Sequence, residues 1–327
     1  MPISGARSPI CPLPAIVSLT VPDLFTEHRS LLFGLAYRML GRVADAEDIV
    51  QETFLRWQQQ DAALVRSPRA WLVATATRLC IDQMRSARRQ REEYVGAWLP
   101  EPLVHAAGMT TATTPDQAAA LADSLGMAFM LMLEELSPVE RAVFLLREVF
   151  DHDYADIARI VDKSEAACRQ IVSRTKTRLA RREVTPSPAP SSSETEPLVR
   201  QFLEACATGN LEKLLTLLAP DAVLYTDGGG RVKSALRPIR SALYIGRFLV
   251  GIREHASVGA HHRPVLINGD PGTLTRRRDG ILTASAFSIE GGRIRAIYMV
   301  SNPEKLHGVP AMLFPPPPAS SENPLPA

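Results

Sequence analysis

Across residues 183–196 the hydrophobic period of this chain changes. Up to Arg182 the apolar residues recur every three to four positions, the spacing that builds one face of a helix. From Ala222 onward they gather in short β-rich runs, AVLYT, VLING, LTASAFSI and IRAIYMV, separated by Gly and Asp. Between the two regimes EVTPSPAPSSSETE has no period and the Pro, Ser and Glu content of a flexible linker. A helical part and an α+β part are therefore expected to fold on separate cores, and 327 residues exceed what one core normally serves. The expected fold class is multidomain.

Breaks subdivide the helical part. From Leu24 to Glu93 the helical spacing is interrupted chiefly at Gly41 and Ser67-Pro68, so a compact set of helices is expected there. Residues 99–116 hold Pro100, Pro102, Gly108, Pro115 and a Thr-rich run, which suits a connector. A second helical block spans Asp116 to Arg182, with Ser137 as N-cap, Pro138 at N1 and Glu140 at N3. Beyond the linker, Pro197 to Leu218 reads as two amphipathic helices, and the Pro-rich end from Leu313 to Ala327 as disordered or polyproline-like. Residues 1–22 read as a loose extension. No apolar run reaches 18 residues, so neither membrane span nor signal peptide is expected. Cys11, Cys80, Cys168 and Cys206 lie too far apart for zinc or redox pairs and suit a reduced cytoplasm.

The formal charge is only +2, but it is unevenly distributed. From Lys163 to Arg182 there are seven basic residues against Glu165 alone, as counterion release from phosphates favours. Asp153 is placed to cap a helix carrying Ile157, Ala158, Ile160 and Val161 on its apolar side. Asp162-Lys163 makes a turn, and Ser164 caps the next helix. That helix turns Ala167, Ile171 and Leu179 inward and leaves Arg169, Gln170, Ser173, Arg174 and Lys176 outward. Two short helices joined tightly form a helix-turn-helix, whose second member enters the major groove. The competing reading is a solvated basic face; agreement of cap, turn and charge favours DNA.

A second basic stretch, Arg66 to Glu92, sets seven arginines against two acids. Arg69 and Trp71 begin it, and Arg78, Asp82, Arg85, Arg88 and Arg89 follow at helical spacing, interleaving charge and ring as single-strand binding does. A lone Trp in a helix is more often core. In the preceding helix Ala46, Ile49, Val50, Thr53 and Trp57 define a buried stripe, while Asp45, Asp48 and Glu52 cluster opposite. Like charges on one face are either solvated or meet a basic partner.

In this order, DAEDIVQETFLRW, SPRAWLVATATRLCIDQMRSARR and LSPVERAVFLLREVFDHDYADIARIVDKSEAACRQIVSRTKTRLA resemble the two conserved domains of extracytoplasmic-function sigma factors. The resemblance implies that Asp45, Asp48, Gln51 and Glu52 contact the clamp helices of core RNA polymerase. It places Arg69, Trp71, Arg78, Asp82, Arg85, Arg88 and Arg89 near the minus-ten element of promoter DNA. Ser164, Glu165, Arg169, Gln170, Ser173, Arg174 and Lys176 would read the minus-thirty-five element. Three further strings, Trp98-Leu99-Pro100-Glu101-Pro102, Asp227-Gly228-Gly229-Gly230 and Asn302-Pro303-Glu304-Lys305-Leu306, resemble signatures of the subgroup with a SnoaL-like C-terminal domain that modulates the sigma region. Two positions depart from that pattern: Asp162 replaces the usual turn glycine, and Glu304 the commoner Asp. On this basis residues 23–95 form the region-2 domain, 96–118 the connector, 119–182 the region-4 domain, 183–196 the linker, 197–306 the SnoaL-like domain and 307–327 the tail.

SnoaL-like cones are similar to isomerases and cyclases that keep an acid or base in an apolar pocket. Tyr225, Asp227, His255, His261, His262 and Tyr298 are the polar candidates. Asp227 precedes three glycines, so a strand turn is at least as strong a reading as an interdomain contact. His261-His262 lacks a third ligand at metal spacing, so no metal is expected; fold similarity alone does not establish catalysis, and no cofactor or catalytic residue is expected. A regulatory clamp ranks first, a sensor of an unidentified small molecule second, an enzyme third. For the whole chain the alternative to a sigma factor is a free-standing helix-turn-helix regulator, which has no use for the acidic face. If the helix-turn-helix reads bases, Arg169→Ala or Gln170→Ala will change promoter preference, each good base contact carrying roughly 1–3 kcal/mol. Lys176→Ala will weaken all promoters alike. Transcription from a promoter library distinguishes the two patterns, and unchanged output from every variant contradicts the assignment.

Overall fold

The computed structural model describes residues 21–61, 65–92, 94–106, 126–180, 192–309 and 313. The first helices are α1 (Val21–Leu40), α2 (Val43–Gln58) and α3 (Pro68–Glu92). They break at Gly41 and before Pro68, as their spacing indicates, and the buried stripe of α2 is Ala46, Ile49, Val50, Thr53 and Trp57. Helix α1 begins at Val21, slightly ahead of the sequence boundary. The rest of the expected N-terminal extension and most of the Pro-rich tail lie outside the described residues, as does Cys11.

The connector is less linker-like than its composition suggests. Residues 107–125 lie outside the described residues, but Val104–Ala106 forms strand β1. Four helices follow: α4 (Met127–Leu133), α5 (Pro138–Glu148), α6 (Tyr154–Val161) and α7 (Glu165–Ala180). Helix α5 carries the expected capping box: Glu140 N–H reaches Ser137 Oγ at 3.4 Å, and Ser137 N–H reaches Glu140 Oε2 at 2.9 Å. Asp162 adopts φ +54°, left-handed geometry that Asp tolerates. Two local readings need correction. Asp153 makes no side-chain cap, because its own carbonyl already accepts from the Asp156 and Ile157 amides. In α7 the innermost residues are Cys168, Val172 and Thr175, with Ala167, Ile171 and Leu179 only half-buried. The helix is rotated by about one residue on α5 and α6.

The two helical sets share a single hydrophobic cluster running from Phe25 to Val172. Arg141, fully buried on α5, donates from Nε to Arg38 O at 3.0 Å in the last turn of α1, and pairs with Glu134 at 2.7 Å. Reciprocally, Arg78 on α3 donates to Arg159 O at 2.9 Å and Ile160 O at 3.1 Å at the end of α6. Each set thus supplies an arginine to the carbonyl-rich helix end of the other, where positive charge is favoured.

The third unit opens with α8 (Ser192–Thr208) and α9 (Leu211–Leu217), the expected amphipathic pair. Helix α8 takes in residues 192–196 of the expected linker and runs through Pro197, near enough to its start that little of the ladder is lost. Then come β2 (Leu218–Asp227), β3 (Ile239–Arg240), α10 (Ala242–Ala256), β4 (His261–Ile267), β5 (Asp270–Arg276), β6 (Leu282–Glu290) and β7 (Arg293–Val300). The seven-stranded sheet has order β1-β4-β5-β6-β7-β2-β3, antiparallel except for β2 beside β7. Its edge strand β1 belongs to the connector, pairing Val104 with Ile267 and His105 with Leu266.

Side chains alternate across the sheet. One face packs Phe287, Ile294 and Ile297 against Phe202, Leu214 and Leu249 of the three helices. The opposite face, with Val265, Leu274, Ala284, Tyr298 and Val300, is covered by Leu99 and Val104 of the connector and Met127 of α4. Leu313, expected in the loose tail, is buried on this same face, and its carbonyl accepts from Arg263 at 2.8 Å. No helix among the described residues is long and apolar enough to cross a membrane.

Candidate nucleic-acid and interdomain surfaces

The residues of α7 expected to face DNA lie on its exposed side. Glu165, Arg169, Gln170, Ser173, Arg174 and Lys176 are all exposed, and Ser164 Oγ accepts from Ala167 N–H at 3.2 Å to cap the helix. Several cations are held by neighbouring acids: Arg169 by Glu165 at 2.6 Å and Lys176 by Glu148 at 2.6 Å. Arg169 also lies 5.0 Å from the Tyr154 ring centroid. Exposed pairs of this kind are weak and exchange readily for phosphate.

On α3, Arg69, Asp82 and Arg85 are exposed, while Arg78 is committed to the end of α6. Trp71 is half-buried 5.4 Å from Trp57, so much of its ring serves the core. Helix α3 runs through Arg88 and Arg89, whose side chains lie outside the described residues. On α2, Asp48 and Gln51 are exposed and Asp45 half-buried; Glu52 holds Arg56 at 2.7 Å. The acidic face stands clear of the apolar stripe.

The three remaining strings converge on one another. Asp227, expected chiefly as a turn residue, is only 1% exposed at the end of β2. Its Oδ1 accepts from Tyr94 Oη at 2.6 Å and Gly229 N–H at 3.0 Å. Its Oδ2 accepts from Leu99 N–H at 2.9 Å and Lys305 Nζ at 2.7 Å. Lys305, 4% exposed, also donates to Leu99 O and lies over the rings of Trp98 and Tyr94, 4.2 and 5.0 Å from their centroids. Burial pulls its ammonium down to about 8, against the opposing pull of Asp227. The two groups stand 2.7 Å apart as a buried ion pair.

Asn302 caps the 3₁₀ turn Pro303–Lys305 by accepting from Glu304 N–H at 3.0 Å, and donates to Tyr94 Oη at 2.9 Å. Pro303 and Glu304 are exposed, and Glu304 reaches Arg231 at 3.1 Å; Leu306 is buried. The glycine run is required sterically. A Cβ on Gly228 would meet Val232 O at 2.0 Å, and one on Gly229, whose φ is +59°, would meet Asn302 at 2.3 Å. Gly230 also has positive φ, +70°.

The connector string ties this cluster to the helices. Leu99 is fully buried, and Pro100, Glu101 and Pro102 are buried beside it. Glu101 Oε2 accepts from Val43 N–H at 2.9 Å and so caps α2, whose own N-cap residue Arg42 supplies no side-chain bond. Burial raises the Glu101 carboxyl above the ordinary carboxylate range. Trp98 stacks onto Gly41, where a Cβ would come within 2.6 Å of the ring.

A second set of contacts went unrecognised in the sequence. At the β4–β5 turn, Asn268 donates to Tyr37 Oη at 2.7 Å on α1, accepts from Leu103 N–H at 3.0 Å, and returns its own N–H to Leu103 O. Two residues on, Asp270 accepts from the Met127 amide at the start of α4, whose N-cap Gly126 has no side chain to offer. A Cβ on Gly126 would lie 2.0 Å from Asp270 Oδ2. The run VLINGD carries the Asn-Gly signal of a hairpin, but nothing in it shows that the hairpin faces another domain. Burial raises the Asp270 carboxyl to about 6.

Of the polar candidates for catalysis, Tyr225 and Tyr298 stack with centroids 5.4 Å apart on the sheet face turned toward the connector. His261 is exposed, His262 bonds Thr275 Oγ1 at 2.9 Å, and the side chain of His255 lies outside the described residues. No group of three or more His, Cys, Asp or Glu among the described residues is arranged to hold a metal ion.

Family models for Sigma-70 region 2 and for Sigma-70, region 4 match residues 24–90 and 126–179. The chain is 36% identical over 299 residues to the ECF RNA polymerase sigma factor SigJ of Mycobacterium tuberculosis, covering 88% of this chain and 93% of that protein. It is 30% identical over 288 residues to the probable ECF RNA polymerase sigma factor SigI of the same species, covering 88% and 94%. The crystal structure of M. tuberculosis SigJ superposes with a TM-score of 0.72 at 32% identity, covering 89% of this chain and 99% of that one. A free-standing regulator is not favoured by this set.

Two predictions follow from the buried charges. Lys305→Met leaves Asp227 buried without its counter-ion, so stability should fall by about 3–5 kcal/mol. Adding Asp227→Asn removes the stranded charge and should recover part of that loss; denaturant melts of single and double variants measure the difference. Asp270 has its carboxyl raised on folding, so its contribution is intact below the ordinary 3.8 and declines as pH climbs toward 6. Asp270→Asn, which still accepts a hydrogen bond, should stabilise the protein by roughly 1–3 kcal/mol at pH 7 and by little at pH 4.

Proposed function

The chain belongs to the extracytoplasmic-function RNA polymerase sigma factors, and on that premise we propose that its third domain regulates it in cis, docking on the connector to hold the two sigma regions together. The buried Asp227, bonded at once to Tyr94, Leu99 and Lys305, carries this reading. It joins the third domain to the end of region 2 and the start of the connector, and Asp270 at the Met127 amide joins the same domain to the second helical block, so the regions are bridged on both sides while these bonds stand. Arg78, assigned by resemblance to the minus-ten strand, is engaged with α6 in the docked form. The recognition helix stays open, so docking withholds the spacing and the minus-ten surface more than the minus-thirty-five one.

On this reading the partners are core RNA polymerase, met by Asp45, Asp48, Gln51 and Glu52, promoter DNA, and the chain's own third domain, all in the cytoplasm. No catalytic role is assigned to that domain. Support comes from the stacking of Tyr225 and Tyr298 on the docked face of its sheet.

Transcription with purified core polymerase tests the proposal. Trp98→Ala removes the ring that packs on Gly41 and covers Lys305, and should raise promoter output while the helical content is retained. Asp48→Lys should leave the melting temperature near wild type and weaken binding to core enzyme. Output from Trp98→Ala identical to wild type at every promoter would make the third domain a passenger. Lost folding with intact polymerase binding in Asp48→Lys would refute the acidic-face assignment.

A further inference from the structure

The helix-covered face of the third-domain sheet encloses a cavity of about 90 Å³ that the docking contacts do not use. One buried water needs roughly 10–15 Å³ by this measure, so the space suits a molecule of about six to nine non-hydrogen atoms. Its floor is apolar, built from Phe202, Phe287 and Ile297. Hydroxyls of Thr275, Thr283, Ser285 and Ser301 line the wall, and Thr283 and Ser301 already bond each other at 2.8 Å. The only formal charges among its lining residues are the cations Lys233 and Arg277, with His262 beside them; no Asp or Glu contributes. Arg277 keeps one nitrogen on Asp279 at 2.6 Å, but its Nε is buried without a hydrogen-bond partner. A buried guanidinium N–H left unmade is costly, and an anion is the acceptor that satisfies it best.

We propose that this cavity is a binding site for a small organic monocarboxylate, its apolar end on the phenylalanines and its carboxylate at Arg277 and Lys233. Free phosphate does not suit the apolar floor, and an amine would face two cations. Thr226 and Ser301 line the cavity and directly precede Asp227 and Asn302, so an occupant would lie one residue from the interdomain cluster. That consequence rests on the docking reading; binding itself does not.

Calorimetry on the full-length protein with hexanoate as probe, and 1-hexanol, hexylamine and inorganic phosphate as controls, tests the site. Hexanoate should saturate at one per chain, with each control at least about tenfold weaker. Arg277→Gln should weaken hexanoate roughly 10- to 100-fold, the range of a charge-assisted hydrogen bond. Ser285→Phe should fill the cavity and abolish binding. Absence of saturation, equal binding of hexanol, or an unaffected Arg277→Gln variant overturns the proposal, and the last holds even if Ser285→Phe fails to fold. An unchanged output from Trp98→Ala would instead sink the docking reading and leave the hexanoate result standing.

Discussion

A buried carboxylate and a buried ammonium, Asp227 and Lys305, hold the architecture of this chain together. Removing two charges from water costs several kcal/mol per ion, and only complete hydrogen bonding in good geometry repays it. Here the completion comes from another domain. Tyr94 and the Leu99 amide satisfy Asp227, while the Leu99 carbonyl and the rings of Trp98 and Tyr94 satisfy Lys305. Without the connector both charges would keep each other but lose most remaining partners. The end of the third domain and the docking of the connector are therefore one event; Gly228 and Gly229 are glycines for a local reason, because Val232 O and Asn302 of the same domain leave no room for a Cβ.

The same logic recurs at helix termini. Helices α5 and α7 carry their own caps, Ser137 and Ser164. Helices α2 and α4 do not, and their first amides are met from elsewhere in the chain, by Glu101 and Asp270. At the opposite ends, α1 and α6 receive Arg141 and Arg78. Unsatisfied backbone groups at helix ends are obligatory costs. Distributing their partners across domains makes each helix depend on the assembled molecule.

This distribution decides what was legible in the sequence. Helices with local caps and complete stripes could be read directly: the Ser137 box, the five buried residues of α2 and the exposed basic face of α7. The domain order and the α+β character of the last domain followed from the change of period. What escaped were features whose cause lies far along the chain. Asp227 looks like a turn residue because its glycines are adjacent, while its connector partners Tyr94 and Leu99 are over a hundred residues away and Lys305 is 78 away. Val104–Ala106 lies among prolines and becomes a strand only because β4 presents a free edge. Asn268 and Asp270 show a hairpin, while what the hairpin touches depends on packing. The α7 stripe was misplaced by one residue because amphipathic spacing fixes a face only to within the arc that its neighbours cover.

The contacts that join the two sigma regions, and those that join them to the third domain, differ in how easily they part. Arg78 meets the end of α6 from an exposed position, where water and salt compete with each bond, so releasing it costs little. Arg141 and the Asp227 cluster are buried, and parting them leaves buried polar groups short of the Arg38 carbonyl, Tyr94 and Leu99 that satisfy them. On the docking proposal, Arg78 is the cheaper contact to release, and the cluster parts only when something replaces its bonds or covers Leu99, which is buried in the docked form. Fully burying a leucine contributes about 2 kcal/mol, so a partner surface that takes up that side chain would offset much of the apolar part. The ionic part needs no such substitute, because Asp227 and Lys305 can remain paired in the third domain after the connector leaves. On that proposal the latch would be reversible: its charges stay matched on one side, and only the neutral donors and rings are exchanged.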